Sequence, residues 1–153
     1  MATKKKILWA GIAVSLLLAI AAVSLSLLGA NGPTIDPDDP TQVAEGRQLY
    51  AVHCALCHGS ELQGQPDWRQ RLPNGRLPAP PHDSSGHTWH HSDAQLIVFT
   101  KKGISGIMPG YESDMPGFEM ILTDAQIAAV LAFIKASWPP DIRARQERLN
   151  APN

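Results

Sequence analysis

The N-terminal part of the chain contains one long apolar stretch. Residues 7–29 carry no charged side chain, and Lys4, Lys5 and Lys6 come directly before them. With about 1.5 Å of rise per residue, a helix over this stretch is long enough to cross the hydrocarbon core of a bilayer. The pattern therefore predicts a transmembrane anchor at 7–29. By the positive-inside rule, residues 1–6 stay in the cytoplasm and the rest of the chain lies on the periplasmic side of the inner membrane.

A cleaved signal peptide is the alternative for the same stretch. The apolar region of such a peptide is usually only about 7–15 residues long. Gly29-Ala30-Asn31 is the cut site that the sequence offers. In both cases the remainder of the chain is exported. Residues 30–39 come next, with two prolines and three aspartates, and they predict a short extended linker.

Three helix starts after the linker share one pattern. Asp39, Ser92 and Thr123 are each followed three positions later by glutamine, which is typical of a capping box. Apolar residues at helical spacing follow each start, and Pro139-Pro140 ends the third helix. No alternating strand pattern accompanies them, so an all-α domain with long loops is predicted over residues 40–138.

Two segments of the exported part carry no helical periodicity. Five prolines between Pro66 and Pro81 lie in the connection between the first and second predicted helices. A loop of that length inside a compact domain usually wraps something or is disordered. Residues 139–153 form a polar tail with three arginines, and a frayed end is expected there.

Composition narrows the class of protein further. Hydrophobic residues make up 44% of the chain, but the apolar stretch inflates this figure, and about 38% of the other residues are hydrophobic. That fraction is low for a protein-only core. The exported part carries 10 basic and 14 acidic side chains, which argues against a nucleic-acid partner. Two cysteines exclude a domain built on several disulfides.

Both cysteines belong to one motif, Cys54-Ala55-Leu56-Cys57-His58, directly after the first predicted helix. C-x-x-C-H is the attachment pattern of haem c. Two thiols three positions apart on a helical turn can add to the two vinyl groups on one edge of a porphyrin. The histidine then lies under the iron as its proximal ligand. The motif predicts one covalent haem c on Cys54 and Cys57, with His58 as a ligand of the iron.

Three other uses of the cysteine pair remain open at this point. A redox-active dithiol is one, although its C-x-x-C belongs to an α/β fold that the pattern does not predict. A zinc site that pairs the two cysteines with two of His87, His90 and His91 is another. A plain structural disulfide is the third.

A low-spin electron-transfer haem also needs a sixth ligand, and a methionine thioether is the one that raises the reduction potential. Met108 and Met115 are both followed by proline, glycine and an aromatic residue, whereas Met120 lacks the proline. The residues alone leave the choice between the first two open.

The order of these features resembles the class I cytochromes c. A helix, C-A-L-C-H, a proline-rich loop, M-P-G-F and then L-T-D-A-Q-I-A-A-V-L-A-F-I follow one another over residues 41–138. The resemblance implies three main helices around one covalent haem. It also favours Met115 as the distal ligand, with Met108 as the runner-up, because the ligand methionine of the family lies about eight residues before the cap of the last helix.

Other positions follow from the same resemblance. Gly46 and Tyr50 correspond to the small and aromatic residues by which the first helix crosses the last, opposite Phe133 or Val130. A carbonyl of the proline region accepts a hydrogen bond from the proximal imidazole in the family. Here Pro80 or Pro81 is expected to supply that carbonyl. Side chains expected near the haem propionates are Trp68, Arg76 and Trp89.

The stretch between the proline-rich loop and the second helix departs from a compact cytochrome. It contains four of the six histidines, His82, His87, His90 and His91. Imidazoles suit copper or zinc in an oxidising compartment, so a second metal site is one hypothesis. The other is a loop at the haem edge whose histidines form hydrogen bonds.

The resemblance implies a membrane-tethered one-electron carrier rather than an enzyme. Expected partners are redox proteins such as a respiratory complex or a terminal oxidase. The alternatives are an enzyme or sensor with five-coordinate haem, a metal-handling subunit that binds copper on the histidine-rich loop, and a fixed subunit of a respiratory complex.

Overall fold

The computed structural model describes residues 33–151. All regular structure within this range is helical, which confirms the predicted all-α class. The three predicted helices correspond to α1, α3 and α5 below. In chain order the elements are α1 (Pro40–His53), α2 (Ala55–His58), a 3₁₀ turn (Thr88–His90), α3 (Asp93–Lys102), α4 (Ile104–Ile107), α5 (Asp124–Ala136) and α6 (Pro140–Glu147).

The predicted membrane anchor at 7–29 lies outside the described residues. Among the helices of residues 33–151, none is long and apolar enough to cross a bilayer. The anchor therefore stays a prediction of the sequence.

Capping boxes begin α3 and α5 as predicted. The N–H of Gln95 donates to Ser92 Oγ, while Gln95 Oε1 accepts the N–H of Ser92 at 3.1 Å. Thr123 and Gln126 repeat the arrangement at the start of α5, with the return bond at 2.9 Å. Each pair satisfies backbone donors that the first turn of a helix leaves without partners.

The start of α1 differs from the prediction. Asp39 caps the helix, but the side chain of Gln42 does not bond back to it. Its amide instead donates to the carbonyl of Thr34 at 2.9 Å and accepts the N–H of Asp36 at 2.7 Å. Ile35, between those two residues, is buried in the core. The segment before α1 is thus packed on the domain from residue 34 onward.

The crossing of α1 and α5 forms the centre of the fold. A Cβ atom on Gly46 would lie 1.9 Å from the carbonyl oxygen of Ala129, so the two backbones touch at this glycine. One turn further on, the ring of Tyr50 packs on Phe133 with 5.3 Å between centroids. These contacts agree with the crossing that the resemblance implies. Residues of α5 that are completely buried are Ile127, Ala128, Ala129 and Ala132.

The expected frayed end is wrong, because α6 is ordered and packed. Gln146 is completely buried, and its Nε2 donates to the carbonyl of His91 and to Asp93 Oδ1 at 3.1 and 2.7 Å. Lys135 of α5 donates to both carboxylate oxygens of Asp93 at 2.8 Å. The helix is therefore held by polar contacts, which is why no apolar stripe predicts it.

We predict that Gly46→Ala destabilises the haem-loaded protein by about 1–3 kcal/mol, a typical cost of overpacking. The methyl group has no room at the crossing, and this outweighs the roughly 1 kcal/mol that alanine gains over glycine in a helix interior. Thermal and denaturant unfolding measure the change. Gln48→Ala, on the exposed side of α1, is the matched control. A Gly46→Ala protein as stable as the wild type would contradict the close approach.

Candidate haem site

The C-x-x-C-H motif forms a single helical turn at the end of α1. The N–H of Cys54 donates to the carbonyl of Tyr50 at 2.9 Å, and the N–H of His58 donates to the carbonyl of Cys54 at 2.9 Å. The two thiols therefore lie one turn apart along a continuous backbone. Both thiols are free in this structure.

The surroundings of Cys54 disfavour its use as the nucleophile of a redox-active dithiol. Burial, and after it the neighbouring Cys57, raises the pKa of Cys54 to about 11. A catalytic C-x-x-C pair needs a thiol with a lowered pKa, because the thiolate is the nucleophile. At neutral pH Cys54 is instead a protonated thiol in a partly apolar setting.

His58 is fixed in one tautomer by the proline-rich loop. Its ring is buried, and Nδ1 lies 2.8 Å from the carbonyl oxygen of Pro80. A carbonyl only accepts, so Nδ1 carries the proton and the lone pair remains on Nε2. Burial lowers the pKa of His58 and outweighs the opposing effect of this hydrogen bond. The imidazole is therefore neutral, as a metal ligand must be. Of the two expected prolines, Pro80 supplies the carbonyl.

Two glycines bring the proline-rich loop back to the motif. Gly59 has φ +81° and ends α2, and its carbonyl accepts the hydroxyl of Tyr50 at 2.9 Å. Gly64 has φ +68°, and a Cβ atom there would lie 2.4 Å from the nitrogen of Pro81. Only glycine fits both the backbone conformation and the space. The close approach holds the carbonyl of Pro80 within reach of His58.

His82 lies against the predicted proximal ligand. Its ring stacks on that of His58 with 4.0 Å between centroids and 24° between planes. Thr88 Oγ1 lies 2.8 Å from His82 Nδ1, and the backbone N–H of His82 donates to the carbonyl of Leu62. Burial, followed by the nearby imidazoles of His58 and His87, holds the pKa of His82 well below its usual range. The sequence did not predict this stacking contact. The position of His82, two residues after Pro80, could have indicated it.

The four histidines of the predicted second metal site do not converge. The rings of His87 and His91 meet edge to face with 5.7 Å between centroids, while His82 is turned toward His58. No three His, Cys, Asp or Glu side chains in residues 33–151 are placed to hold a metal ion, so neither this site nor the zinc alternative gains support. The other aromatic partners are Trp68 for His87, Trp89 for His90 and Phe99 for His91.

Met115 lies on a loop that is tightly packed against the end of α3. A Cβ atom on Gly103 would lie 2.7 Å from the carbonyl oxygen of Met115, and one on Gly117 would lie 2.7 Å from that of Lys101. The N–H of Phe118 then donates to the carbonyl of Thr100 at 3.0 Å. The backbones of the Met-Pro-Gly sequence and of the end of α3 therefore approach so closely that Gly103 and Gly117 leave no room for a side chain.

Met108 and Met120 have more open surroundings. Met108 ends α4, and its side chain is 50% exposed. Met120 is 92% exposed, whereas Met115 is partly buried. Met115 is therefore the most buried of these three methionines.

Arg76 contacts the loop that carries Met115. Its guanidinium forms an ion pair with Asp114, beside Met115, and Nε lies 3.8 Å from a carboxylate oxygen of Glu112. The ring of Trp68 stacks on that of His87 and is also contacted by the guanidinium of Arg69. The expected place of these side chains near the propionates stays a prediction.

The donor set of the motif fits haem c. Two free thiols one turn apart and a neutral imidazole with its lone pair on Nε2 are the donors that a c-type cytochrome site needs, and they lie in an all-helical domain. The family model for cytochrome c matches residues 43–138, so the chain belongs to the cytochrome c family. It is accordingly an electron-transfer protein rather than an enzyme, and its cofactor is covalently bound haem c.

The chain is also similar to two curated proteins. Both are cbb3-type cytochrome c oxidase subunits CcoP of Rhodobacter capsulatus, 27% and 26% identical to this chain over 99 residues. The matched region covers 64% of this chain but only 30% of either relative. No solved structure matches the chain.

We predict that replacing both Cys54 and Cys57 by alanine abolishes covalent haem, because no other thiol is present in the chain. The measurement is haem staining of the protein on a denaturing gel, where only covalently bound haem survives. Leu56→Ala changes a side chain inside the same motif that is 94% exposed, and this control should stain like the wild type. Staining of the double variant would rule out thioether attachment at these residues.

Proposed function

We propose that the chain is a membrane-tethered one-electron carrier. In this proposal Cys54 and Cys57 hold the haem, His58 is the proximal ligand of the iron and Met115 is the distal one. The carrying observation is the 2.8 Å contact between His58 Nδ1 and the carbonyl of Pro80, which directs the lone pair of Nε2 away from the loop. Bound haem supplies an iron that takes up and releases one electron.

In this proposal the surrounding protein keeps the two iron ligands in fixed positions. His58 is fixed by the hydrogen bond to the carbonyl of Pro80 and by the stacked ring of His82. Met115 is carried by a loop whose backbone is bonded to α3. Two protein ligands that stay bound leave no open position for a substrate and keep the geometry similar in both oxidation states, which suits electron transfer.

We predict that Met115→Ala removes the sulfur-to-iron charge-transfer band from the red end of the ferric spectrum. Met108→Ala should leave the band intact, because Met108 lies in an exposed turn. Absorption spectra of the two purified ferric proteins test this directly. If the band survives in Met115→Ala and disappears in Met108→Ala, the runner-up is the ligand and our assignment is wrong.

The membrane part of the proposal rests on the N-terminal sequence. The apolar residues 7–29 behind three lysines favour a single-pass anchor in the inner membrane, with the haem domain on the periplasmic side. Such a tether raises the local concentration of the carrier near membrane partners. The similarity to oxidase subunits supports a terminal oxidase as one of these partners.

A fixed subunit of an oxidase complex is the second candidate. The relatives are themselves named as oxidase subunits, which favours this candidate, although the chain covers under a third of their length. A carrier exchanges between partners, whereas a subunit stays bound in fixed ratio. The two candidates therefore differ in whether the protein dissociates from the oxidase.

We predict that the haem protein stays in the membrane fraction after a high-salt wash and that exchanging residues 1–30 for a cleavable export signal releases it into the periplasm. Haem staining of the two fractions measures the distribution. Purification in mild detergent then separates the candidates, since a carrier elutes without a fixed ratio of oxidase and a subunit elutes with one. A wild-type protein found mainly in the soluble periplasm would contradict the tether.

A further inference from the structure

We propose that Arg76 is a positioning residue for the distal methionine. The proposal rests on the proposed function, in which Met115 is a ligand of the iron. Arg76 belongs to the proline-rich loop, and its ion-pair partner Asp114 directly precedes Met115 in the chain. We call residues 71–76 the arginine loop and residues 108–117 the methionine loop.

A tight turn presents the guanidinium of Arg76 to the methionine loop. The N–H of Gly75 donates to the carbonyl of Leu72 at 2.8 Å, and the N–H of Leu72 donates to the carbonyl of Arg76 at 2.8 Å. Asn74 closes the turn by accepting the N–H of Arg76 through Oδ1 at 3.0 Å. Because the turn fixes its own backbone, only the side chain of Arg76 loses further freedom on pairing.

The methionine loop meets the arginine loop at more than one point. Glu112 lies 3.8 Å from Arg76 Nε, a buried atom that has no hydrogen-bond partner. Arg71 of the same turn lies 5.7 Å from the centroid of the Tyr111 ring. Two arginines of one turn therefore face an aromatic residue and two carboxylates that lie together just before Met115.

The methionine loop is also held by one hydrogen bond to α4 and by one within the loop. The N–H of Ser113 donates to Ser105 Oγ, and the N–H of Met115 donates to Ser113 Oγ, both at 3.1 Å. Asp114 lies between these two bonded residues, so its side chain points to Arg76 from a restrained backbone. When an external ligand displaces the methionine, this loop has to move. Separating Asp114 from Arg76 is then part of the free-energy cost of displacing the methionine.

The expected size of the effect on ligand displacement follows from the solvent exposure of the ion pair. The side chains of Arg76 and Asp114 are 38% and 57% exposed, and a solvent-exposed ion pair changes an equilibrium by up to about fivefold. Displacement of a methionine ligand by added imidazole is an equilibrium that can be measured at this precision. Removal of the ion pair should therefore change the affinity for imidazole by a measurable amount.

The test is an imidazole titration of the ferric, haem-loaded full chain, followed by loss of the sulfur-to-iron band. Arg76→Gln and Asp114→Asn should each strengthen imidazole binding by up to about fivefold, and the double variant should match either single variant. Arg76→Lys should return toward the wild type, and raised salt should weaken the difference. Arg69→Gln, which removes an arginine stacked on Trp68 instead, is the control and should bind imidazole like the wild type.

Equal imidazole affinity of Arg76→Gln and the wild type would overturn the proposal, as would additive effects of Arg76→Gln and Asp114→Asn. Thermal unfolding of each variant separates a local change at the ligand from general destabilisation, and a fall in unfolding temperature that accounts for the whole effect also counts against it. If Met115→Ala keeps the band, the ligand assignment itself fails. If Met115→Ala loses the band and Arg76→Gln binds imidazole normally, only the positioning role fails.

Discussion

The contact between His58 and Pro80 is the constraint on which the site depends. A histidine that follows two cysteines on a helical turn can rotate, and either ring nitrogen can carry the proton. The carbonyl of Pro80 fixes both the orientation and the tautomer. For this contact to form, the chain must leave the motif and return after about twenty residues. The positive φ and the absent side chain of Gly64 permit that return.

The thin apolar composition outside residues 7–29 is consistent with this architecture. Buried hydrophobic residues concentrate in α5, and Tyr50 of α1 packs against this helix at the crossing. The motif and the methionine loop are held instead by backbone hydrogen bonds and close glycine contacts. In a haem-binding domain the macrocycle contributes apolar surface of its own, so the loops need to position it rather than fill the interior.

The sequence predicted the features that local chemistry determines. Capping boxes at Ser92 and Thr123 and the C-x-x-C-H turn involve residues within four positions of each other, and these predictions agree with the structure. The misses depend on distant partners. Gln42 bonds to residues before α1 rather than to its own helix, and Gln146 docks α6 through Asp93, far away in the chain. Both side chains are glutamines, which also occur at solvent-facing positions. The hydrophobic periodicity of the sequence therefore did not indicate their contacts.

The proline-rich loop connects both sides of the proposed haem site. Its last part contacts His58 through Pro80, and its middle part contacts the methionine loop through Arg76. A loop that is long for a compact domain is therefore used twice, once for each predicted axial ligand. In a site built this way, the proximal and distal ligands share one mechanical support. A change in the loop that shifts Pro80 is then expected to reach Asp114 as well, because the backbone between residues 71 and 80 is short.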